Sequence, residues 1–382
     1  MMELLFWGLA LLVVYVYAGY PLVLLALRSR PASQLARGPE EAPRVTLIVS
    51  AFNEADCVAA KLDNTLALDY PRQCLDVIVV SDASEDGTDE IVQGYEAKGV
   101  RLLRMQQRGG KTLGLNAGVA ASQGDIVVFS DANAMYKADA IQRLVAPFAA
   151  ADIGAVIGES TYTEPDSASG ESESLYWRYE TWIKELETRS GSVVGGDGAI
   201  YAVRRSLYRP MTANALSDFV NPLQVVASGF HCVYERRAIS FEEAASDFSR
   251  EYRRKVRIVN RAWRALWSMR AMLNPFSHGS FAFKLWSHKV LRWCVPVFLG
   301  AILLLNLALV REHPIYGATL LAQVLFYALA VAGFVVRRRE SQPAFVRIPF
   351  YFCVVNFAAA VGLVELLGGR SYTTWTTSRA KG

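Results

Sequence analysis

An acidic residue and an amide stand one residue apart at the end of a hydrophobic segment. Residues 124–133 read Gly-Asp-Ile-Val-Val-Phe-Ser-Asp-Ala-Asn, and the apolar run predicts a buried strand that ends at Asp131 and Asn133. Carboxylate and amide oxygens suit a hard cation such as Mg²⁺ or Mn²⁺, which completes its coordination with water or substrate phosphate. The same residues are also typical of an Asx turn that caps the next helix. The spacing alone leaves both interpretations open.

Two further acidic residues stand at comparable positions. Asp82 follows a predicted strand at residues 76–81, and Asp218 lies at the start of a predicted helix after the turn Gly196-Asp197-Gly198. Ligands of an open α/β sheet bind at the carboxyl ends of its strands. Asp82, Asp131 and Asp218 are therefore candidates for one site, although Asp82 and Asp218 could instead only cap helices.

Segments of strand length alternate with helical segments through the middle of the chain. The predicted strands are residues 45–50, 76–81, 101–105, 126–131, 153–159 and 199–203. The main predicted helices are residues 54–68, 89–97, 111–121, 137–148, 175–188 and 250–270, with another beginning near 216. Residues 160–173 are rich in Ser, Thr, Glu and Asp, which predicts a loop. This alternation indicates an α/β fold with a mostly parallel sheet and helices on both faces.

The hydrophobic content exceeds what this domain needs. The chain has 382 residues, of which 52% are hydrophobic and 20% are charged. The excess lies in four apolar segments, residues 4–27, 290–310, 315–336 and 348–367, each long enough to cross a bilayer. The last is interrupted by Pro349 and Glu365. The first lacks the basic flank and cleavage site of a signal peptide, so we interpret it as a retained anchor.

Basic residues flank these segments and predict their orientation. The clusters contain Arg28, Arg30 and Arg37, then Lys284, Lys289 and Arg292, then Arg337, Arg338 and Arg339. The positive-inside rule places all three clusters in the cytoplasm, with both termini outside if every segment crosses. We therefore expect a multi-pass protein of the inner (plasma) membrane whose α/β domain is cytoplasmic.

The apolar segments and the alternation of strands and helices divide the chain into structural units. The predicted units are a membrane helix at 1–28, a linker at 29–44, the α/β domain at 45–273, an interfacial segment at 274–289, about three membrane helices at 290–368, and a tail at 369–382. The five cysteines form no C-x-x-C pair, which argues against a zinc knuckle. The net charge of +4 is modest, and we expect the lipid bilayer but no nucleic acid as a partner. The oligomeric state is not predicted.

Several motifs in the α/β segment agree in order and spacing with one known family. They are Val-Ser-Ala-Phe-Asn-Glu at 49–54, Asp82 with Asp86-Gly87-Thr88, Gly109-Gly110-Lys111 with Leu115-Asn116-Ala117-Gly118, and Gly124-Asp125 leading to Asp131-Ala132-Asn133. Together they resemble the inverting family 2 glycosyltransferases of the GT-A fold. The resemblance covers about residues 43–270, and the flanking membrane segments are similar to the cellulose, hyaluronan and poly-N-acetylglucosamine synthase branch.

The resemblance implies a donor site for a nucleotide sugar, which we take to be UDP-linked. Ala51, Glu54 and Asp82 match positions that hold the base and ribose, and Lys111 matches a basic residue near the nucleotide. Asp131 and Asn133 match the D-x-D motif that binds the metal, Mg²⁺ or Mn²⁺, and the diphosphate. Asn133 replaces the second carboxylate of that motif, so one negative charge is lost.

The resemblance also implies an acceptor site and a base. Asp218 matches the catalytic base, and Ser217 stands where a second acid is usual. Gly196, Asp197 and Gly198 match the acceptor-side turn, although Asp197 could serve the turn alone. The acceptor is expected to be a saccharide that is either lipid-linked or growing.

The predicted helix at residues 250–270 is basic and contains the remaining candidate binding residues. Arg254, Arg257 and Arg261 recur at helical spacing, so one face presents guanidinium groups suited to a diphosphate. We assign diphosphate binding to Arg257 and Arg261, with an interfacial helix attracted to anionic lipid as the alternative. Processive members carry Q-x-x-R-W, of which only Arg261 is retained here.

The sequence therefore predicts a membrane-bound inverting glycosyltransferase for cell-envelope or exopolysaccharide synthesis. The alternative within that class is a processive synthase that also translocates its polymer. The alternative outside it is a transport or adaptor protein with a nucleotide-binding domain, which the absence of a P-loop motif disfavours.

Overall fold

The structure is a computed structural model that describes residues 1–27, 41–162, 168–242, 248–337 and 343–373. Most of the predicted linker, residues 29–40, and the end of the predicted tail, residues 374–382, lie outside the described residues. The basic cluster at Arg28, Arg30 and Arg37 also lies outside them, as do Arg338 and Arg339.

One eight-stranded sheet forms the centre of the α/β domain. Its strands are β1 (Val45–Ala51), β2 (Leu75–Ser81), β3 (Val100–Arg104), β4 (Ile126–Asp131), β5 (Met135–Tyr136), β6 (Ile153–Tyr162), β7 (Ile200–Arg204) and β8 (His231–Glu242). The order is β3-β2-β1-β4-β7-β6-β8-β5. The first four strands of that order are parallel, and β7 runs antiparallel to β4. β6 is antiparallel to β7 but parallel to β8, so the complete sheet is mixed.

The helices cover both faces of the sheet and continue into the apolar segments. They are α1 (Met2–Val14), α2 (Tyr20–Ala26), α3 (Ala55–Leu66), α4 (Thr88–Gln93), α5 (Lys111–Ala121), α6 (Ala140–Val145), α7 (Ala168–Arg189), α8 (Ser217–Ala227), α9 (Phe248–Ser268), α10 (Pro275–Leu285), α11 (Leu291–Leu309), α12 (Pro314–Val335) and α13 (Ala344–Leu367). Every residue of β1 is buried, as expected for a central parallel strand with helices on both faces. Two hydrophobic cores result, one on each face.

Three parts of the domain differ from the sequence-based prediction. Strands β5 and β8 were not predicted, and β8 carries two exposed arginines, Arg236 and Arg237, in the middle of its buried pattern. Helix α7 begins at Ala168, so the prediction of a loop through residue 173 is wrong, whereas the predicted helix at 175–188 lies within α7. A polar first turn is compatible with a helix, because helix starts favour acidic and capping residues.

Four helices are long and apolar enough to cross a membrane within the described chain: Met2–Ala26, Pro275–Leu309, Pro314–Val335 and Ala344–Leu367. The second combines α10, a π-helical segment at Trp286–Val290, and α11. Pro349 does not break the last, which runs unbroken as α13. The residues assigned to an interfacial segment, 274–289, are therefore mostly helical, although the helix has a kink at Gly279.

A buried polar network joins α7 to the first C-terminal membrane helix. His288 contacts Glu187 at 2.7 Å through Nδ1 and Glu180 at 3.2 Å through Nε2, and Arg292 forms an ion pair with Glu180. The Tyr20 hydroxyl donates to Glu187 at 2.5 Å. Burial raises the pKa of Glu180, but Arg292 and His288 outweigh it and hold that pKa well below its ordinary value. The network therefore fixes the domain to two membrane helices through ionised carboxylates.

Candidate functional site

The turn after β1 and the turn after β2 form one end of the site. The Ala51 carbonyl at the end of β1 accepts the Asp82 N–H at 2.9 Å, and the Glu54 N–H donates to the Thr88 hydroxyl at 2.9 Å. The second turn contains Ala83, whose φ of 60° is uncommon for a residue other than glycine. Strained backbone of this kind is typical of ligand sites. The predicted nucleotide residues Ala51, Glu54 and Asp82 are thus brought together.

Asp82 holds the glycine turn that precedes α5. Its two carboxylate oxygens accept the N–H groups of Gly109 at 2.7 Å and of Gly110 at 2.9 Å, and the side chain is buried. Gly110 has a φ of 88°, which favours glycine. Asp82 thereby positions Lys111, the first residue of α5.

Lys111 lies between the end of β4 and the turn before β7. Its ammonium pairs with the Asp131 carboxylate and donates to the Gly198 carbonyl at 3.0 Å. A Cβ atom at Gly198 would lie 3.4 Å from Lys111 Nζ and 3.5 Å from Asp218 Oδ2. Lys111, Asp131, Gly198 and Asp218 therefore meet at the carboxyl edge of the sheet.

The residues around Asp131 fit a hard divalent cation. Burial, together with the charges of Asp197 and Asp131, raises the pKa of Glu242 to about 7. The site thus has an excess of acidic oxygens, which a cation would relieve. In the described part of the chain no three His, Cys, Asp or Glu side chains group as a metal site, so further ligands must come from Asn133, water or a bound substrate.

Lys61, on α3, lies beneath this turn and was not predicted. The side chain is fully buried, its ammonium donates to the Ala134 carbonyl, and it lies 3.9 Å from the centre of the Tyr136 ring. Burial lowers the pKa of Lys61 to about 7, while Asp131 and Glu242 act in the opposite direction. The helical pattern could have revealed it, since Lys61 shares the buried face of α3 with Val58, Leu62 and Thr65.

Asp218 lies in the first turn of α8, against the glycine turn. A Cβ atom at Gly196 would lie 2.5 Å from the Asp218 backbone oxygen. Burial raises the pKa of the Asp218 carboxyl; Lys111 opposes this rise and Asp197 adds to it. A carboxylate with a raised pKa beside an open glycine turn is suited to accept a proton.

The two arginines predicted to bind diphosphate have different surroundings. Arg261 donates to the Thr112 hydroxyl at 3.1 Å and to the Asn214 and Ala215 carbonyls, so it holds the segment that leads into α8. The Arg257 side chain, on α9, makes no hydrogen bond to any other residue that the structure describes. Arg257 is therefore the more available guanidinium, whereas Arg261 is engaged in positioning Asp218.

Part of the chain is similar to known proteins. Residues 46–210 match the family described as Glycosyl transferase family 2. A poly-beta-1,6-N-acetyl-D-glucosamine synthase of Staphylococcus aureus (strain MSSA476) is 26% identical over 170 residues, which are 44% of this chain and 41% of that protein. A dolichyl-phosphate beta-glucosyltransferase of Trichomonas vaginalis is 34% identical over 107 residues, or 26% of this chain and 32% of that protein. The matches thus cover less than half of either relative.

A solved structure extends the similarity to the membrane helices. A mannosyltransferase from Pyrobaculum calidifontis, in complex with GDP-Man and Mn²⁺, aligns with a TM-score of 0.74 and 20% identity. The alignment covers 97% of this chain and 100% of that chain. At this identity the comparison establishes the fold alone.

Proposed function

Because the chain carries a family 2 glycosyltransferase domain of the GT-A fold, we propose that it is a membrane-bound inverting glycosyltransferase. It transfers a sugar from a nucleotide-sugar donor, UDP-linked in our proposal, to a lipid-linked or growing saccharide. The observation that carries this proposal is the meeting of Lys111, Asp131 and Asp218 at the Gly198 turn.

The donor binds along the carboxyl edge of the sheet. Ala51, Glu54 and Asp82 lie where the base and ribose bind, and Lys111 and Arg257 face the diphosphate. Asp131 and Asn133 would hold Mg²⁺ or Mn²⁺, which when bound neutralises charge on the departing diphosphate. Lys111, now paired with Asp131, is close enough to exchange that partner for a phosphate oxygen.

Asp218 acts on the acceptor. Its carboxylate accepts the proton of the acceptor hydroxyl, while the hydroxyl oxygen forms a bond to the anomeric carbon. The bond from that carbon to the diphosphate oxygen breaks on the opposite face, and the nucleotide leaves with the electron pair. The configuration at the anomeric carbon is therefore inverted. Gly196, Asp197 and Gly198 form the turn against which the acceptor sugar lies.

The membrane helices place this reaction at a bilayer. In our proposal the protein lies in the inner (plasma) membrane, with the α/β domain in the cytoplasm where nucleotide sugars are made. The acceptor then belongs to cell-envelope or exopolysaccharide synthesis.

The proposal is tested with the purified full chain in lipid nanodiscs. The protein is incubated with radiolabelled nucleotide sugars and a membrane lipid extract, and the products are sized. We expect one donor to be consumed, with transfer lost in excess EDTA and restored by Mg²⁺ or Mn²⁺. Transfer that persists in EDTA would remove the metal role of Asp131 and Asn133. A ladder of long products would indicate a processive synthase, and a single product a single transfer.

Gly196→Ala tests the acceptor turn. The added Cβ would lie 2.5 Å from the Asp218 backbone oxygen and 3.1 Å from Ile157 Cδ1, so the first turn of α8 must move. We expect kcat to fall roughly 10- to 100-fold, since small displacements of a reacting group have effects of this size. The dissociation constant of the donor nucleotide should not change.

The matched control is Gly300→Ala, because a Cβ at Gly300 meets nothing within 4 Å. This variant should keep the wild-type kcat. A Gly196→Ala enzyme with wild-type turnover would show that the turn does not position Asp218.

A further inference from the structure

Helix α3 carries two polar side chains that reach the segment following Asp131 and Asn133. Residues 131–133 form the metal turn, and residues 134–136 follow it. Lys61 and Asn64 are three positions apart on α3, so they share one face of the helix. Both side chains bind the backbone of residues 134–136. This face of α3 therefore holds the chain immediately after the metal turn.

Asn64 binds the backbone of Tyr136 through both ends of its amide. Its Nδ2 donates to the Tyr136 carbonyl at 2.8 Å, and its Oδ1 accepts the Tyr136 N–H at 2.8 Å. Tyr136 is buried and lies in β5, which pairs with β8 at one edge of the sheet. Buried backbone groups are costly when unpaired, and here one side chain satisfies two of them. The Asn64 amide thus takes the place of a neighbouring strand.

Tyr136 extends this contact to both turns of the site. Its hydroxyl lies 3.0 Å from the Phe129 carbonyl, in β4 before the metal turn, and 3.0 Å from the Ala199 carbonyl, directly after the acceptor turn (residues 196–198). The Ala134 N–H donates to the Asp131 carbonyl at 3.2 Å, which closes the metal turn. The position of Tyr136 therefore fixes the metal turn relative to the acceptor turn.

The other end of α3 is attached to the predicted nucleotide residues. The helix begins at Ala55, directly after Glu54, and the Ala55 N–H donates to the Asp86 carboxylate at 3.0 Å. One continuous helix of 12 residues thus joins these residues to the segment after the metal turn. Asn64 is the point at which the helix grips that segment by two hydrogen bonds.

Lys61 supports the same segment but would have two opposing effects on a bound cation. Its ammonium donates to the Ala134 carbonyl, which favours the observed geometry of the metal turn. Its positive charge would repel a metal ion. Replacement of Lys61 changes both effects at once, whereas replacement of the neutral Asn64 changes the geometry alone. Asn64 is therefore the residue whose role can be measured cleanly.

We propose that Asn64 is a positioning residue that holds the metal turn in the geometry needed to bind a divalent cation and the diphosphate. The inference rests on the proposed function, because it concerns the same donor site. Asn64 acts through the backbone of Tyr136. Its loss would leave two buried backbone groups without their partner and release residues 134–136 from α3.

The test measures nucleotide binding at different metal concentrations. The full chain is purified in lipid nanodiscs, and its affinities for UDP and GDP are measured by calorimetry in EDTA and across a Mn²⁺ titration. The Mn²⁺ requirement is the concentration that gives half of the maximal gain in nucleotide affinity. In Asn64→Ala it should rise roughly tenfold, at the lower end of the effects seen when groups that orient metal ligands are removed. Affinity in EDTA should match that of the wild type.

Tyr136→Phe tests the same link from its other end. Phenylalanine keeps the ring but loses the hydroxyl that lies against the Phe129 and Ala199 carbonyls. The Mn²⁺ requirement should rise in this variant as well. An Asn64→Ala protein that binds nucleotide in EDTA but keeps the wild-type Mn²⁺ requirement would overturn the proposal. If Asn64→Ala does not fold, a wild-type requirement in Tyr136→Phe overturns it.

Asn116→Ala is the matched control. Asn116, on α5, binds the backbone of Met211 in the same manner, with Nδ2 donating to the carbonyl at 2.7 Å and Oδ1 accepting the N–H at 3.0 Å. Met211 lies on the segment that leads into α8. The variant should lower the melting temperature, as Asn64→Ala does, but keep the wild-type Mn²⁺ requirement. Equal increases in both variants would show a general loss of rigidity and overturn the proposal.

The same measurements separate failure of the inference from failure of the proposed function. If the wild type binds neither UDP nor GDP, the proposed function fails. If Mn²⁺ strengthens nucleotide binding by the wild type, and Asn64→Ala and Tyr136→Phe both behave as the wild type does, only the inference about Asn64 fails.

Discussion

Asp218→Asn is expected to lower kcat for sugar transfer by about 10³-fold, within the range found when a general base is removed. Asparagine keeps the shape of the side chain but cannot accept the acceptor proton. The donor dissociation constant should stay near the wild-type value, because in our proposal the donor binds to Asp131 and Lys111 rather than to Asp218. Donor binding by calorimetry and initial rates of transfer measure the two quantities separately.

The pKa of Asp218 adds a second expectation. Because burial raises this pKa, the acid limb of the wild-type kcat–pH profile should lie above the ordinary aspartate value. The ionised form is disfavoured in the folded state, so Asp218→Asn should not lower the melting temperature. Asp63→Asn is the control, since Asp63 is an exposed carboxylate that accepts the Tyr95 hydroxyl. Normal turnover by Asp218→Asn would exclude Asp218 as the base.

Asp131→Ala is expected to lower kcat/KM by roughly 10²- to 10³-fold, the size seen when a group that stabilises transition-state charge is removed. Asn133→Ala should have a smaller effect, about tenfold, because an amide ligand neutralises no cation charge. Rates are measured across a Mn²⁺ titration. The Asp131 variant should need far more metal to reach half its maximal rate.

Asp125→Ala provides the control for this pair. Asp125 immediately precedes strand β4, at the end away from Asp131, and its side chain is exposed. The Asp125→Ala variant should need the same Mn²⁺ concentration as the wild type to reach half its maximal rate. An Asn133→Ala enzyme that loses more activity than Asp131→Ala would reverse our assignment of the main ligand.

The parts of the fold predicted from sequence are those with local signals. Strands β1, β2 and β4 are predominantly apolar, and each leads into a polar turn. Such runs specify central strands without knowledge of their neighbours. Strand β8 was missed because Arg236 and Arg237 interrupt its apolar pattern, and its place depends on pairing with β6.

Site residues that belong to a sequence motif could be predicted. Contacts that form only through tertiary packing could not. Asp82, Asp131 and Asp218 all reach the predicted edge of the domain. By contrast, the approach of Lys289 to Gly195 joins two distant segments through the fold. The engagement of Arg261 with Thr112 and Ala215 likewise depends on packing that helical spacing does not reveal.

The network of Glu180, Glu187 and His288 has a consequence for substrate length. Burial raises the pKa of Glu187, but His288, Tyr20 and Lys284 outweigh it and leave that pKa below its ordinary value, so the Glu187 carboxylate is ionised at neutral pH. These contacts fix α7 to the helix that carries Lys284 and His288. If that helix crosses the membrane as we propose, Asp218 would lie at a constant height above the lipid surface. The fixed height would then select membrane-anchored acceptors by the distance between their anchor and the reacting hydroxyl.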